Sequence, residues 1–374
     1  MRHPDDQRDP RAELPGVDAS GTISPAELQL AARNHGLPLE ALAYDVTPAG
    51  MHYLLTHYDM PVVDPASWRL AVGGLVGREL SLSLDELRAR PAVAQAVTME
   101  CAGNGRTGLS PRPIGQPWVL EAVGTAEWTG VPLRTVLEEA GVEDGAIGVL
   151  FGGMDRGTED GRPTSFERSL SLADAHRDEV LLAYAMNGQP LPPQHGFPLR
   201  LVVPGWYGMA SVKWLERITL IDRPFEGYHQ VRGYCLRQTP EEEGEQLSRM
   251  RPRSLLTPPG IPESNSRERR LEPGPVTVRG RAWSGLAEIA RVEVSTDGGG
   301  QWSEARLAPA ASPWVWQAWE WEWDAQPGTH ELCCRATDGT GETQPLEPTW
   351  NLGGYVNNEV QRVPVIVGRS QLDV

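Results

Sequence analysis

The residues best suited to chemistry in this chain gather around one thiol. Cys101 sits in the run Glu100-Cys101-Ala102-Gly103-Asn104-Gly105-Arg106, where a β-propensity stretch from Val93 to Met99 gives way to small residues. Glycines at 103 and 105 let the backbone approach a bulky ligand closely or take positive φ. A thiol at such a strand end can serve as a soft metal ligand or a nucleophile. It can also be a buried structural cysteine, packing as a small hydrophobe. Further along, Arg200 and Lys213 stand inside apolar and aromatic runs rather than in polar ones. Arg200 can grip an oxyanion bidentately, whereas Lys213 offers a point charge.

Several elements must position these groups. Ser24-Pro25-Ala26-Glu27 predicts a helix start with Ser24 as N-cap, after a loose polar arm over the first twenty residues. Trp68 to Leu75 alternates as a half-buried strand. Leu84 to Arg90 and Leu133 to Ala140 read as short helices, the first stopped by Pro91 and the second by Gly141. Val149 to Phe151 reads as a strand, with Asp155 just beyond its end. Ser169 to Asp174 suggests a capped helix start, and Val180 to Met186 a strand leading into the turn Asn187-Gly188. Leu199 to Val203 is a further strand. Short strands with few, short helices predict an α+β domain with mixed or antiparallel sheets. No GxGxxG follows a strand and no GxxxxGK[ST] occurs, so nucleotide-binding folds are not indicated.

From Thr239 to Pro275 prolines and an acidic run take over, placing a domain boundary near Ser264 to Pro275. Beyond it, Val276 to Ala282, Ala290 to Ser295, Val315 to Trp323 and His330 to Ala336 read as strands of an all-β unit. Asp297-Gly298-Gly299 is a hairpin signal. Trp319, Trp321 and Trp323 alternate with glutamates and so share one sheet face, where core packing is the expected role. The organisation predicted is an arm and short helix over 1–36, an α+β domain over 37–263 and a β domain over 264–374.

Bulk properties narrow the function. Hydrophobic content of 40% and charged content of 22% describe an ordinary globular protein. A net charge of −16 argues against nucleic-acid binding, and requires any anion site to be a local cationic pocket. The four cysteines (Cys101, Cys235, Cys333, Cys334) form no CxxC pair and no zinc-ligand spacing. No secretory signal and no membrane span are visible, giving a cytoplasmic expectation, or a periplasmic one if a leader has been removed.

The run Glu100 to Arg106 resembles the cysteine loop of the sulfite oxidase family of molybdenum enzymes. A second, longer match runs from Tyr184 through Asn187-Gly188-Gln189-Pro190 to His195-Gly196-Phe197-Pro198-Leu199-Arg200 and on to Ser211-Val212-Lys213-Trp214. The resemblance extends from about Glu40 to about Val367. It implies a molybdopterin-binding domain followed by an immunoglobulin-like dimerisation domain, the latter carried by Gly280 to Gly285 and by Trp350-Asn351-Leu352-Gly353-Gly354. One Mo-molybdopterin per subunit is implied, with Cys101 as the metal's thiolate ligand and His57, Asp155, His195, Arg200, Ser211 and Lys213 on the cofactor. Arg106 would clamp a substrate oxyanion, and Tyr234 falls at the family's active-site tyrosine. The implied reaction is oxidation of sulfite to sulfate by oxygen-atom transfer, in a homodimer. No CxxCH haem motif occurs, so electrons would leave to an external acceptor, a cytochrome-like partner or oxygen. Reduction of a sulfoxide or nitrate, or a metal-free scaffold, is the alternative. One departure stands out: Leu55 and Thr56 occupy positions where the family carries arginine and asparagine ahead of His57.

Overall fold

The computed structural model describes residues 9–368. The loose arm expected at the N-terminus falls partly outside these residues, over 1–8; the part from Asp9 to Ser20 forms a helical turn and a short strand rather than a loose arm. A helical turn at Pro10–Glu13 is capped by Asp9, and Val17–Asp18 pairs antiparallel with Arg112–Pro113. Composition missed this because the anchor is remote in sequence. Arg112, 5% exposed, reaches Asp18 Oδ2 at 3.1 Å and Glu27 Oε1 at 2.6 Å. Glu27 belongs to the helix Pro25–Arg33, whose Ser24 cap and Glu27 form a full capping box.

Two five-stranded sheets build the first domain. In one, the order is Gln189–Pro190, Leu181–Met186, Val123–Pro132 and Val93–Glu100, with Arg200–Val202 also paired to Leu181–Met186. All its pairings are antiparallel. In the other, Leu80–Leu82, Leu70–Gly74, Leu215–Ile221, Gly148–Glu159 and Arg162–Ser171 lie side by side, and one pairing, Leu215–Ile221 with Leu70–Gly74, is parallel. The predicted helices form at Leu84–Arg88 and Leu133–Ala140, the latter closed by Gly141 at φ 70. Its buried Leu133, Val136, Leu137 and Ala140 pack into the domain core. Val149–Phe151 proves to be part of a much longer strand, so Asp155 lies within Gly148–Glu159 rather than beyond a strand end. The pairing slips between Gly152 and Arg156, and such an irregularity re-aims the side chains near it.

The second domain is a two-sheet β-sandwich. Arg253–Thr257, Gly274–Trp283, Gln317–Ala325 and Arg306–Leu307 form one sheet; Gly328–Asp338, flanked by Ile289–Ser295 and Gln361–Val367, centres the other. Trp319 and Trp323 lie in the core between them with Leu256, Val292 and Val365, as their alternation with Glu320 and Glu322 predicted. We place the start of this domain near Arg253, ahead of the boundary read from composition. Arg253–Thr257 pairs along Gly274–Trp283, and Pro258, Pro259, Pro262 and Pro273, among the prolines that suggested a linker, sit in the connection between the two strands. Among the described residues no helix is long and apolar enough to cross a membrane.

The strand Val93–Glu100 lies at the edge of its sheet, and the second domain covers that edge. Thr98 N donates to Trp314 O (2.8 Å), and Trp316 N to Thr98 Oγ1 (2.7 Å). At the strand's end Glu100, 1% exposed, has Arg253 Nε at 2.8 Å and accepts from Trp283 Nε1 at 2.9 Å. Removing one partner of a buried ion pair leaves an uncompensated charge. Arg253→Ala should therefore cost about 3–5 kcal/mol of stability. Combining it with Glu100→Gln should restore part of that loss, since no charge then stays unpaired. Thermal unfolding of both variants checks this; a double variant no more stable than the single would contradict it.

Candidate active site

Cys101 opens onto an inner chamber enclosing about 620 Å³ of empty space, counting its open mouth. The thiol is held by its strand end: Cys101 N donates to Ala122 O at 2.9 Å, and Asn104 N returns to Cys101 O at 3.0 Å. The Asn104 side chain staples the loop, donating to Glu100 Oε1 and Leu120 O, both at 3.0 Å. Gly105 has φ 86, as positive φ at a glycine predicts. Gly103 serves a different purpose, because a Cβ there would come 2.7 Å from Arg106 Nη2.

Distant segments bring the predicted residues to that chamber. His57, Asp155, His195, Arg200, Ser211, Lys213 and Tyr234 all line it together with Cys101. His195 ends the turn Pro193–His195, Arg200 starts the strand Arg200–Val202, and Ser211 and Lys213 follow the turn Gly208–Ala210. The two cations are held by neutral groups. Arg200 donates to His195 O (3.1 Å) and Ser211 O (3.2 Å), and lies 4.6 Å from the Trp128 ring centroid. Lys213 Nζ donates to Leu55 O (2.8 Å) and Gln194 O (2.9 Å). Among the described residues neither forms an ion pair.

Burial sets the electrostatics. It pushes Lys213 down to about 7 and Arg200 to about 10, since a charge in low dielectric is disfavoured. Burial likewise lowers His52 to about 4, His57 to about 3 and His195 to about 2. It raises Asp155 to about 6, against the pull of Lys213, and raises the Cys101 thiol as well. Asp155 Oδ1 and His52 Nε2 are buried with no hydrogen-bond partner.

A second, outer chamber shares Leu55, His57, Cys101 and Tyr234 with the first and is also lined by Arg106. Arg106 spends two donors on carbonyls, Nε to Gly353 O (3.1 Å) and Nη1 to Gln116 O (2.9 Å), and lies 5.2 Å from the Tyr355 ring centroid. Tyr234 OH is hydrogen-bonded to His57 Nε2. Its backbone takes φ 54, a conformation that costs a non-glycine residue on the order of 1 kcal/mol and is retained where the surroundings enforce it.

Residues 57–229 match the oxidoreductase molybdopterin binding domain family, and residues 253–368 the Mo-co oxidoreductase dimerisation domain family. Sulfite oxidase of Gallus gallus is 38% identical over 350 residues, covering 87% of this chain and 74% of that one. The chain belongs to the sulfite oxidase family. Mitochondrial sulfite oxidase of Homo sapiens is 37% identical, over 86% of this chain and 62% of the human protein's length. Among solved structures, the sulfane dehydrogenase SoxCD from Paracoccus pantotrophus superposes with a TM-score of 0.79 at 29% identity, covering 93% of this chain and 89% of that one.

As a member of the sulfite oxidase family the chain is a molybdopterin-dependent oxidoreductase. The chamber fits that cofactor. Two buried cations without carboxylate partners suit its phosphate, and the unpartnered Asp155 Oδ1 and His52 Nε2 suit the donors and acceptors of a pterin edge. A buried thiol becomes a good ligand once a metal replaces its proton. Sequence reasoning missed His52, Tyr53, Met99 and Phe166, which complete the chamber wall. The pair His52-Tyr53, immediately ahead of the His57 segment, was a readable signal. Tyr355 carried none, since its segment resembled part of a dimerisation domain. Cys235, Cys333 and Cys334 are buried free thiols that line neither chamber.

The buried histidines make the fold acid-sensitive in the apo form. With folded values of about 2 to 4, they refuse protons that the unfolded chain accepts below its ordinary histidine value of 6.5. Their full contribution is present above pH 6.5 and is lost as pH falls from there toward 4. Each can remove up to about 1.4 kcal/mol per pH unit in that window. Asp155, with its raised value, works in the opposite direction between about 6 and 3.8, but it is one group against four, since burial also lowers His229 to about 4. The Tm of apo protein should fall steadily between pH 6.5 and 5; a flat profile would contradict the neutral state of these rings.

Proposed function

We propose that this enzyme oxidises sulfite to sulfate and passes the electrons singly to an external acceptor. The observation that carries this reading is that Cys101 and Tyr234 line both an inner chamber holding Arg200 and Lys213 and an outer chamber holding Arg106. The sulfite oxidases among its relatives support the substrate. Cys101 holds the metal, Arg200 and Lys213 take the cofactor's phosphate, and His57, Asp155, His195 and Ser211 take its remaining polar edges. Molybdopterin bound there supplies a molybdenum centre capable of two-electron oxygen-atom transfer.

The chain's own groups then act on the substrate. Arg106 is positioned by Gly353 O and Gln116 O, which leaves Nη2 to meet an oxyanion in the chamber that Cys101 also lines. Burial pushes the Tyr234 hydroxyl well above its ordinary value, so it stays protonated. Hydrogen-bonded to His57, it presents a fixed dipole at the same place. Leu55 lines both chambers where the family resemblance calls for arginine, which leaves the anion one charged contact short. The dimerisation domain supports a homodimer, the commonest arrangement being two-fold.

Protein made in a molybdopterin-competent host should carry about one molybdenum per chain and reduce an artificial one-electron acceptor with sulfite. Cys101→Ala should lose both metal and activity. Absence of molybdenum above background in the parent protein would defeat the enzyme reading. Leu55→Arg should raise kcat/KM for sulfite by about tenfold, the worth of one charge-assisted hydrogen bond. That gain should shrink at high salt, as screening predicts. Light scattering should give twice the 41.0 kDa chain mass at micromolar concentration.

A further inference from the structure

The outer chamber is built for less negative charge, and more carbon, than sulfite brings. About 940 Å³ of empty space, counting its open mouth, lies in front of Cys101. Its walls include Leu30, Leu55, Ile114, Trp118, Tyr228 and Tyr355. Ile114 is 51% exposed, so apolar surface continues out to the rim. Among the described residues lining it, Arg106 is the one permanent cation. His57 and His229 are held neutral by burial, at about 3 and about 4. Arg168 lies behind the Tyr234 ring, 2% exposed, with its guanidinium on the carbonyls of His229 and Leu247. Glu159 adds a carboxylate to the wall, where it accepts from Tyr58 OH at 2.9 Å.

Charge and shape together select a substrate class. A dianion in this chamber would face one half-committed guanidinium, one carboxylate and a ring of carbon. A monoanion with an apolar substituent would instead put its single charge on Arg106 and its substituent against the aromatic wall. Burial of such a substituent is worth roughly 25 cal/mol per Å². Taking the reading above as its base, we propose that the preferred substrate is an organic sulfinate, R–SO2−, oxidised to the sulfonate R–SO3−. The sulfinate sulfur keeps the lone pair that makes sulfite reactive, with carbon in place of one oxygen. In the balanced step one S–O bond forms, water supplies the oxygen and two protons go to solvent. Two electrons leave to the same external one-electron acceptor. Leu55 is then a specificity residue, contacting the substituent where an arginine would demand a further oxyanion.

The test uses the molybdenum-loaded enzyme with ferricyanide as acceptor and sulfite, methanesulfinate and benzenesulfinate as substrates. Benzenesulfinate should exceed sulfite in kcat/KM by at least about tenfold, the equivalent of 1.4 kcal/mol, with methanesulfinate between them. Leu55→Arg should move the two ends in opposite directions, raising sulfite and lowering benzenesulfinate, which a purely structural effect would not do. Calorimetry of the products gives a readout independent of turnover. Benzenesulfonate should bind more tightly than sulfate, and Tyr355→Ala, which also removes a ring packed on Arg106, should weaken benzenesulfonate about tenfold more than it weakens sulfate. Sulfite turned over at least as well as either sulfinate would overturn the proposal and leave the sulfite reading standing. Loaded enzyme that oxidises none of the three would defeat both.

Discussion

A carboxylate buried one residue before the reactive thiol dictates how this protein is put together. Glu100 ends the strand that delivers Cys101, and at 1% exposure it needs compensation for its charge. Asn104, three residues beyond the cysteine, supplies one donor and Trp283 of the sandwich a second, while Arg253, also from the sandwich, supplies the opposite charge. The same strand edge takes Trp314 and Trp316 from that domain. Arg253 also donates to Asn357 O, and Asn357 Nδ2 returns to Gly105 O at 2.7 Å. The cysteine loop is therefore clamped from both sides by a domain whose family description concerns dimerisation. Its position is a property of the whole chain.

Much of this was legible in the sequence where local chemistry decides the outcome. Ser24 with Glu27, Gly141 after Ala140, and Asn187-Gly188 each specify a cap or turn through their own side chains or φ, and each forms as read. Val93 to Met99 announced a strand for the same reason. Asp155 was misplaced because Gly152-Gly153 looks like a strand end, whereas the partner strand Arg162–Ser171 carries the pairing through a slip. The N-terminal segment was misread because its anchor, Arg112, lies far away in sequence. Proline content likewise concealed that Arg253–Thr257 already belongs to the sandwich.

The site divides along the same line. His57, His195, Arg200 and Lys213 were found because they sit in runs that resemble a family, and they converge on one chamber. His52 and Tyr355 were not found. The first packs its ring 5.5 Å from that of His195, and the second crosses from the other domain to Arg106 and Tyr234. Burial then gives these groups their character. Arginine and lysine held by carbonyls rather than ion pairs, together with histidines held neutral and the Asp155 carboxylate, set the charge of the inner chamber.

The bond from Arg106 to Gly353 spans 247 positions of chain, that from Asn357 to Gly105 spans 252, and that from Trp283 to Glu100 spans 183. Closing loops of that length is entropically costly before any contact repays it, so such contacts form late. On a ribosome the cysteine loop emerges long before the residues that clamp it. Until the sandwich has been made, the nascent chain holds an unclamped thiol loop and a glutamate without its opposite charge, Arg253. The order of synthesis thus leaves the cysteine loop unclamped until the end, and the catalytic geometry arrives only with the finished polypeptide.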